Sequence, residues 1–228
     1  MIEKDINLSR RILLWLIPIL LAVLVYYPLP HIGFAYVDDR WMLLDESLVQ
    51  ATFSWDTLYG VFTRINNLQY SPLNTLYYAL IYQIDGYNPY YYHLGSLLLH
   101  LFNGLIVFKL LVVLFKAFDL SNGDTYAYLI MLVWLVHPFN VETVVWISAS
   151  KIPLFGMFYL LSIYCFIKAY QRVGYFKTNY VLSIFFFVLS FLSKEQAVAL
   201  PAVIIAFVLI MQLKSETVNI KKIVLVSA

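Results

Sequence analysis

Six long apolar runs dominate this chain of 228 residues and limit what it can fold into. They cover roughly residues 12–30, 94–118, 126–147, 152–170, 179–193 and 197–213. A helix needs about 20 apolar residues to cross the hydrocarbon core of a bilayer, and most of the runs approach or exceed that length. Charged residues are only 12% of the chain, about half the share typical of soluble domains. The sequence therefore predicts an all-α, polytopic membrane protein that forms one transmembrane domain over residues 1–228.

A seventh apolar stretch begins at about residue 221, after Lys221-Lys222, and reaches Ala228 before it is long enough to span a membrane. We therefore expect these residues to be the N-terminal part of a longer chain.

The basic residues predict the orientation of the helices. With the N-terminus in the cytoplasm, eleven Lys and Arg side chains lie on the cytoplasmic side, and the other side receives only Arg40, Arg64, Lys151 and Lys194. Such a positive-inside bias is typical of multi-pass proteins. We predict an integral protein of the bacterial inner membrane or endoplasmic reticulum, whose loop of residues 31–93 faces the periplasm or lumen.

The long loop has the pattern of structured polypeptide. Apolar residues recur at helical spacing in Leu43–Val49, Trp55–Phe62 and Leu76–Ile84. This spacing predicts amphipathic helices that lie along the outer membrane surface.

Several kinds of function lack support in the sequence. The net charge of +2 does not indicate nucleic-acid binding, and the lone Cys165 allows neither an internal disulfide nor a cysteine-based zinc site. Glycine-rich phosphate loops and common serine-nucleophile motifs are missing. His100 and Asn103 share one face of the second apolar run, and this spacing favours interhelical hydrogen bonds over metal binding. No metal site is predicted.

Polar residues gather at three helix ends on the predicted outer side: Asp38-Asp39-Arg40, then His137, Glu142 and Lys151, and finally Lys194-Glu195. The fifth run has 15 residues and would extend about 22 Å, less than the roughly 30 Å hydrocarbon core. We therefore expect Lys194 and Glu195, and also His137, to lie below the outer surface. Ionisable groups at such depth are candidates for function. The alternative is an ion pair or interfacial contact that only fixes topology.

Several motifs in order along the chain are similar to a known family. They are Phe34-Ala35-Tyr36-Val37-Asp38-Asp39-Arg40, Tyr70-Ser71-Pro72-Leu73-Asn74-Thr75, Gly86-Tyr87-Asn88-Pro89, Tyr92-His93-Leu94, Leu97-Leu98-Leu99-His100-Leu101-Phe102-Asn103, His137-Pro138, Glu142-Thr143, Trp146-Ile147-Ser148, Lys151 and Ser193-Lys194-Glu195. The series resembles the GT-C superfamily of membrane glycosyltransferases. Within it, the match is to the membrane domain of the O-mannosyltransferases that carry tetratricopeptide repeats, and to their bacterial relatives.

The resemblance implies a GT-C-like helical bundle and a hexosyltransferase, such as a mannosyltransferase, acting in protein glycosylation. Such an enzyme takes its sugar from a polyprenyl-phosphate lipid and passes it to an acceptor hydroxyl, on a protein Ser or Thr, at the outer face. By position, Asp38 or Asp39 would be the catalytic base, and Asp39 or Glu142 would orient the acceptor. The donor phosphate would be held by Lys194, Lys151, Arg40 and His137, with supporting roles for Glu195, His100 and Asn103.

Other functions compete with this interpretation. Charges near membrane helices are also typical of transporters, although here they cluster at one face. A non-catalytic assembly subunit is another alternative, as is a transferase that modifies lipid-linked glycans. The expected partners are the lipid-linked sugar, a protein or glycan acceptor and membrane lipids, without nucleic acid. No pattern requires a cofactor, and participation of a divalent metal is left open.

Overall fold

The protein is described by a computed structural model that covers residues 8–65, 69–172 and 174–226, with side chains described from Leu14 to Ser215. Lys4, one of the basic residues predicted to lie on the cytoplasmic side, is outside the described residues. The described chain is built of helices: α1 (Leu8–Tyr26), α2 (Ser47–Gln50), α3 (Trp55–Thr63), α4 (Pro72–Asp85), α5 (Pro89–Ala117), α6 (Gly123–Leu135), α7 (Val141–Val145), α8 (Lys151–Tyr170), α9 (Phe176–Ser193) and α10 (Leu200–Val226).

Five segments of the described residues are long and apolar enough to cross a membrane: Leu14–His31, Pro89–Ala117, Ile147–Tyr170, Phe176–Ser193 and Glu195–Ser215. A sixth crossing would come from Gly123–Leu135 joined to Pro138–Val145, a pair of helical segments bent by 55°. The prediction of an all-α polytopic membrane protein is confirmed. The predicted third run, 126–147, is this bent pair rather than one straight helix.

Helix ends differ from the apolar runs where capping residues extend them. α5 begins at Pro89, five residues before the predicted start, because the Asn88 side chain accepts a hydrogen bond from the Tyr90 N–H at 3.1 Å. α9 begins at Phe176, three residues before the predicted start. α10 runs without a break to Val226, so the stretch from residue 221 continues this helix and is not a separate element.

α5 is the central helix of the bundle and packs against α1, α6 and α8, while α8 and α9 form a helical hairpin. Polar side chains join the helices at buried positions. His100 Nε2 lies 2.8 Å from the Leu135 carbonyl of α6, and Asn103 donates to the Pro153 carbonyl of α8 at 2.7 Å. These are the interhelical hydrogen bonds that the spacing of the two residues predicts.

The Gly104 backbone of α5 lies close to the Leu135 side chain of α6. A Cβ atom on this glycine would lie 2.7 Å from Leu135 Cδ2, so a larger residue here would require the Leu135 side chain to shift.

The long loop between α1 and α5 folds onto the bundle around a buried cluster, here called the loop core: Met42, Leu43, Val49, Tyr78, Ile81, Tyr92 and Ile147. α3 and α4 cover two of the three predicted amphipathic segments. The third, Leu43–Val49, is divided between a turn of π-helix, Arg40–Leu44, and α2, because the Glu46 side chain caps α2 by accepting from Leu48 N–H at 3.1 Å.

The alternating helix directions place the connections at two opposite ends of the bundle. One end carries the loop core, the short segments between α6 and α8, and the connection between α9 and α10. The other end carries the α5–α6 and α8–α9 turns. The predicted acids and lysines therefore lie at the same end.

Candidate active site

Lys151 is the centre of a group of charged side chains drawn from three parts of the chain. It is the first residue of α8 and is half-buried. Its Nζ donates to Gln69 Oε1 at 3.0 Å and lies 3.8 Å from Met42 Sδ. Lys151 also interacts electrostatically with Lys194, Glu195 and Asp38. The fold thus brings an acid of the loop, the start of α8 and the α9–α10 connection together.

Lys194 lies where the chain breaks between α9 and a 3-10 helix, Glu195–Ala199. Its backbone is extended, with φ −161° and ψ 136°, and its side chain is half-buried while Glu195 is exposed. Among the residues that the structure describes, no ion pair joins Lys194 to Glu195 or Glu142. Because α9 has 18 residues and extends about 27 Å, Lys194 lies less deep than a helix of 15 residues would place it.

The two neighbouring acids of the loop have different surroundings. Asp39 is only 1% exposed, and its Oδ2 accepts the Ala35 N–H at 2.7 Å. Its Oδ1 accepts the Ser148 N–H at 2.8 Å and also the Ser148 hydroxyl. Asp38 is half-buried, and its Oδ1 accepts the Trp41 indole N–H at 3.0 Å. Asp39 is therefore committed to holding the loop, while Asp38 retains capacity to accept a proton.

A buried tyrosine holds the segment before Lys151 from the loop side. The Tyr78 hydroxyl donates to the Ile147 carbonyl at 2.9 Å and accepts from Ser150 Oγ at 3.0 Å. Burial raises the pKa of Tyr78 to about 12, so its hydroxyl stays protonated and continues to donate at neutral pH. Tyr78 and Asp39 together fix residues 147–150 and hence the start of α8, where Lys151 lies.

A cavity of about 20 Å³ lies beside this group and is lined in part by Trp41, Met42 and Gln69. This volume accommodates one water molecule but not a sugar. A ligand as large as a sugar therefore does not fit inside this cavity.

Two curated proteins show what the chain is similar to. Protein O-mannosyl-transferase tmtc2 of Xenopus laevis is 29% identical over 193 residues, which are 80% of this chain and 22% of that protein. Human protein O-mannosyl-transferase TMTC2 is 29% identical over 163 residues, or 68% of this chain and 18% of that protein. The chain is similar to protein O-mannosyl-transferases. It spans about a fifth of the length of these relatives. The similarity supports a relationship to glycosyltransferases. No family model and no solved structure matches the chain.

The other predicted phosphate-binding residues have local partners. Arg40 Nε pairs with Asp45 at 3.1 Å on the exposed surface of the loop. His137 is exposed, accepts the Phe139 N–H through Nδ1 at 3.3 Å and stacks on the Phe139 ring. Glu142 is exposed on α7. Arg40, His137 and Glu142 are not among the charged partners of Lys151, which are Lys194, Glu195 and Asp38. The structure therefore does not place these three residues in the charged group around Lys151.

His100 and Asn103 lie inside the bundle, where they connect helices below the charged group. Within the described ranges, no three His, Cys, Asp or Glu side chains are grouped so that they could hold a metal ion.

Gln69, Ser148 and Tyr78 are structural partners of the site that sequence reasoning missed. Ser148 and Asp39 are 109 positions apart, and Lys151 and Gln69 are 82 apart, so no local pattern links them. The sequence signals were the Trp146-Ile147-Ser148 motif, which assigned Ser148 no role, and the polar Ser148-x-Ser150-Lys151 stretch beside an apolar run.

Proposed function

We propose that this chain supplies the membrane-embedded active site of a glycosyltransferase of GT-C type. It would transfer a hexose, such as mannose, from a polyprenyl-phosphate lipid to a hydroxyl of a protein Ser or Thr on the periplasmic or lumenal side. The observation that carries this proposal is the grouping of Lys151 and Lys194 with Asp38 at one end of the bundle.

The two lysines are suited to hold a lipid phosphate. Like charges that interact across a short distance repel each other, and this repulsion is relieved when an anion binds between them. Lys151 donates to Gln69 and, at a longer distance, to Met42 Sδ, which leaves one of its three N–H donors for a phosphate oxygen. As the bond between the anomeric carbon and the phosphate oxygen breaks, its electron pair passes to that oxygen, and the ammonium groups stabilise the developing charge.

Asp38 is suited to be the base. The acceptor hydroxyl loses its proton as its oxygen attacks the anomeric carbon, and a nearby carboxylate accepts that proton. Asp38 is held by one hydrogen bond, from Trp41, and lies in the charged group around Lys151.

Asp39 and the loop would position these groups without touching substrate. Asp39 links the loop at Ala35 to Ser148, three residues before Lys151. The acid and the lysine thereby keep a fixed separation, which suits attack of a hydroxyl on the anomeric carbon while the lipid phosphate leaves. Glu142 remains our candidate for orienting the acceptor, while Glu195 would moderate the repulsion between the lysines.

The proposal is tested by incubating the purified full-length protein with an acceptor protein and labelled sugar donors. We expect transfer from polyprenyl-phosphate mannose and none from a nucleotide sugar. Lys151→Met and Lys194→Met should each weaken donor binding by about 1.5–3 kcal/mol, the range for a charge-assisted hydrogen bond. Lys177→Met, at the opposite end of α9, is the matched control and should bind the donor normally.

Undiminished donor binding in both variants would remove the phosphate role from the lysines. Transfer to a lipid-linked glycan, with none to protein, would retain the donor assignment and contradict the protein acceptor.

A further inference from the structure

A basic pocket lies at the opposite end of the bundle from the candidate active site. It has a volume of about 410 Å³ and is lined by residues of α5, α6 and α8. Lys168 in its wall is 17 residues beyond Lys151 on α8, about 25 Å along the helix axis. The two sites are therefore near opposite boundaries of the hydrocarbon core.

Charge in the pocket is mainly positive. Lys109, Lys116 and Lys168 line it, against the single carboxylate of Asp124 in the first turn of α6. None of the ion pairs found among the described residues involves these three lysines. Lys168 Nζ lies 5.4 Å from the centre of the Tyr164 ring, a cation–π contact that holds the ammonium at the pocket wall. An anion would be attracted here and would find several N–H donors.

The remaining walls are apolar and belong to helices that pack together. Val112 follows Lys109 by three positions on α5, and Tyr164 precedes Lys168 by four on α8, so each helix presents a basic and an apolar residue to the pocket. Gln171 Nε2 donates to the Val113 carbonyl at 3.3 Å and ties the end of α8 to α5. A ligand that has an anionic group attached to an apolar chain matches this combination.

We propose that this pocket binds the phosphate headgroup of an anionic phospholipid. The lysines contact the phosphate, and the acyl chains extend along the apolar walls into the surrounding bilayer. The predicted orientation places this end on the cytoplasmic side, whose leaflet carries the anionic lipids. The volume lies within the range of small-ligand sites and accommodates a headgroup. The site is independent of sugar transfer and would anchor the bundle in its leaflet.

The test uses the full-length protein in detergent and measures bound lipid by native mass spectrometry. Phosphatidylglycerol is the anionic probe, phosphatidylcholine the zwitterionic probe and inorganic phosphate the soluble competitor. We expect preferential binding of phosphatidylglycerol and little competition by millimolar phosphate. Lys109→Gln and Lys168→Gln should each weaken that binding about tenfold or more, because each removes a charged donor to the phosphate.

Lys177→Gln is the matched control, since it removes one positive charge at the same end of the bundle from an exposed residue outside the pocket. Equal losses in all three variants would show a diffuse surface effect and overturn the proposal. Equal binding of the two lipids would also overturn it, and efficient displacement by inorganic phosphate would show a free-anion site in place of a lipid site. Should Lys168→Gln fail to fold, Lys109→Gln decides the question alone.

Discussion

Replacing the two adjacent acids should have different consequences. Asp39→Ala should mainly lower the stability of the protein, whereas Asp38→Asn should mainly lower its activity. Asp39→Ala removes a buried acceptor that receives three hydrogen bonds, two of them from Ser148. Asp38→Asn alters a half-buried side chain that receives one hydrogen bond. Only the structure distinguishes the two residues, because they are neighbours with the same side chain.

The magnitude for Asp39→Ala follows from the donors that lose their acceptor. Ser148 is only 3% exposed, so its N–H and hydroxyl would both be left without water or protein partners. A buried polar group without a partner lowers the free energy of unfolding by about 1–3 kcal/mol. The Ala35 N–H adds little to this loss, because Ala35 is exposed and its N–H can donate to water instead. We expect a loss of about 3 kcal/mol for Asp39→Ala. For Asp38→Asn we expect less than about 1 kcal/mol, since the amide oxygen can still accept from Trp41.

The lone cysteine offers a direct assay for these losses. Cys165 is buried in α8, so a thiol-reactive fluorophore reports its exposure as the protein unfolds on heating. For a chain of this length, 1 kcal/mol corresponds to roughly 2–4 °C in Tm. Asp39→Ala should therefore lower the Tm by about 6–12 °C, and Asp38→Asn by less than about 4 °C. A normal Tm for Asp39→Ala would refute the tether between the loop and α8.

Three further predictions concern topology and packing. Single cysteines at Ser47 and Ser121, in a chain without the native cysteine, should label from opposite sides of the membrane, and labelling from the same side would overturn the orientation. Tyr78→Phe should lower stability by about 1–2 kcal/mol because a buried carbonyl and a buried hydroxyl lose their partner, and an unchanged Tm would contradict this role. Gly104→Ala should lower the stability of the protein by about 1–3 kcal/mol through overpacking. Gly33→Ala is the control and should leave the stability unchanged, because open space surrounds Gly33. Equal Tm values for the two variants would argue against the close contact of α5 and α6.

The spanning helices could be predicted from sequence because the bilayer itself sets their length. The positions of the helix ends are predicted less accurately, because capping residues extend a helix beyond its apolar run. Asn88 and Pro89 extend α5 in this way. The bend after α6 also had a signal in His137-Pro138, because the residue before a proline disfavours helical backbone. The length of the apolar run 126–147 instead favours one continuous helix, which is why the sequence does not predict the bend.

The candidate site was predictable only in part. Asp38, Lys151, Lys194 and Glu195 were expected at one face, and the structure groups them. Arg40 was expected with them on sequence proximity, but a nearby partner, Asp45, engages it instead. The difference between Asp38 and Asp39 depends on Ser148, a contact across 109 positions that only the folded chain reveals.

The central claim is that Asp38 accepts the proton of the acceptor hydroxyl. The most direct measurement is single-turnover transfer of labelled sugar by Asp38→Asn in the full-length protein, with donor affinity and Tm measured on the same sample. Our account predicts that transfer falls by a factor of about 10²–10⁴ while donor affinity and Tm are nearly unchanged, because only the proton acceptor is lost. Near-normal transfer by Asp38→Asn, together with abolished transfer by a stably folded Asp39→Asn, would contradict it and assign the base to the neighbouring residue.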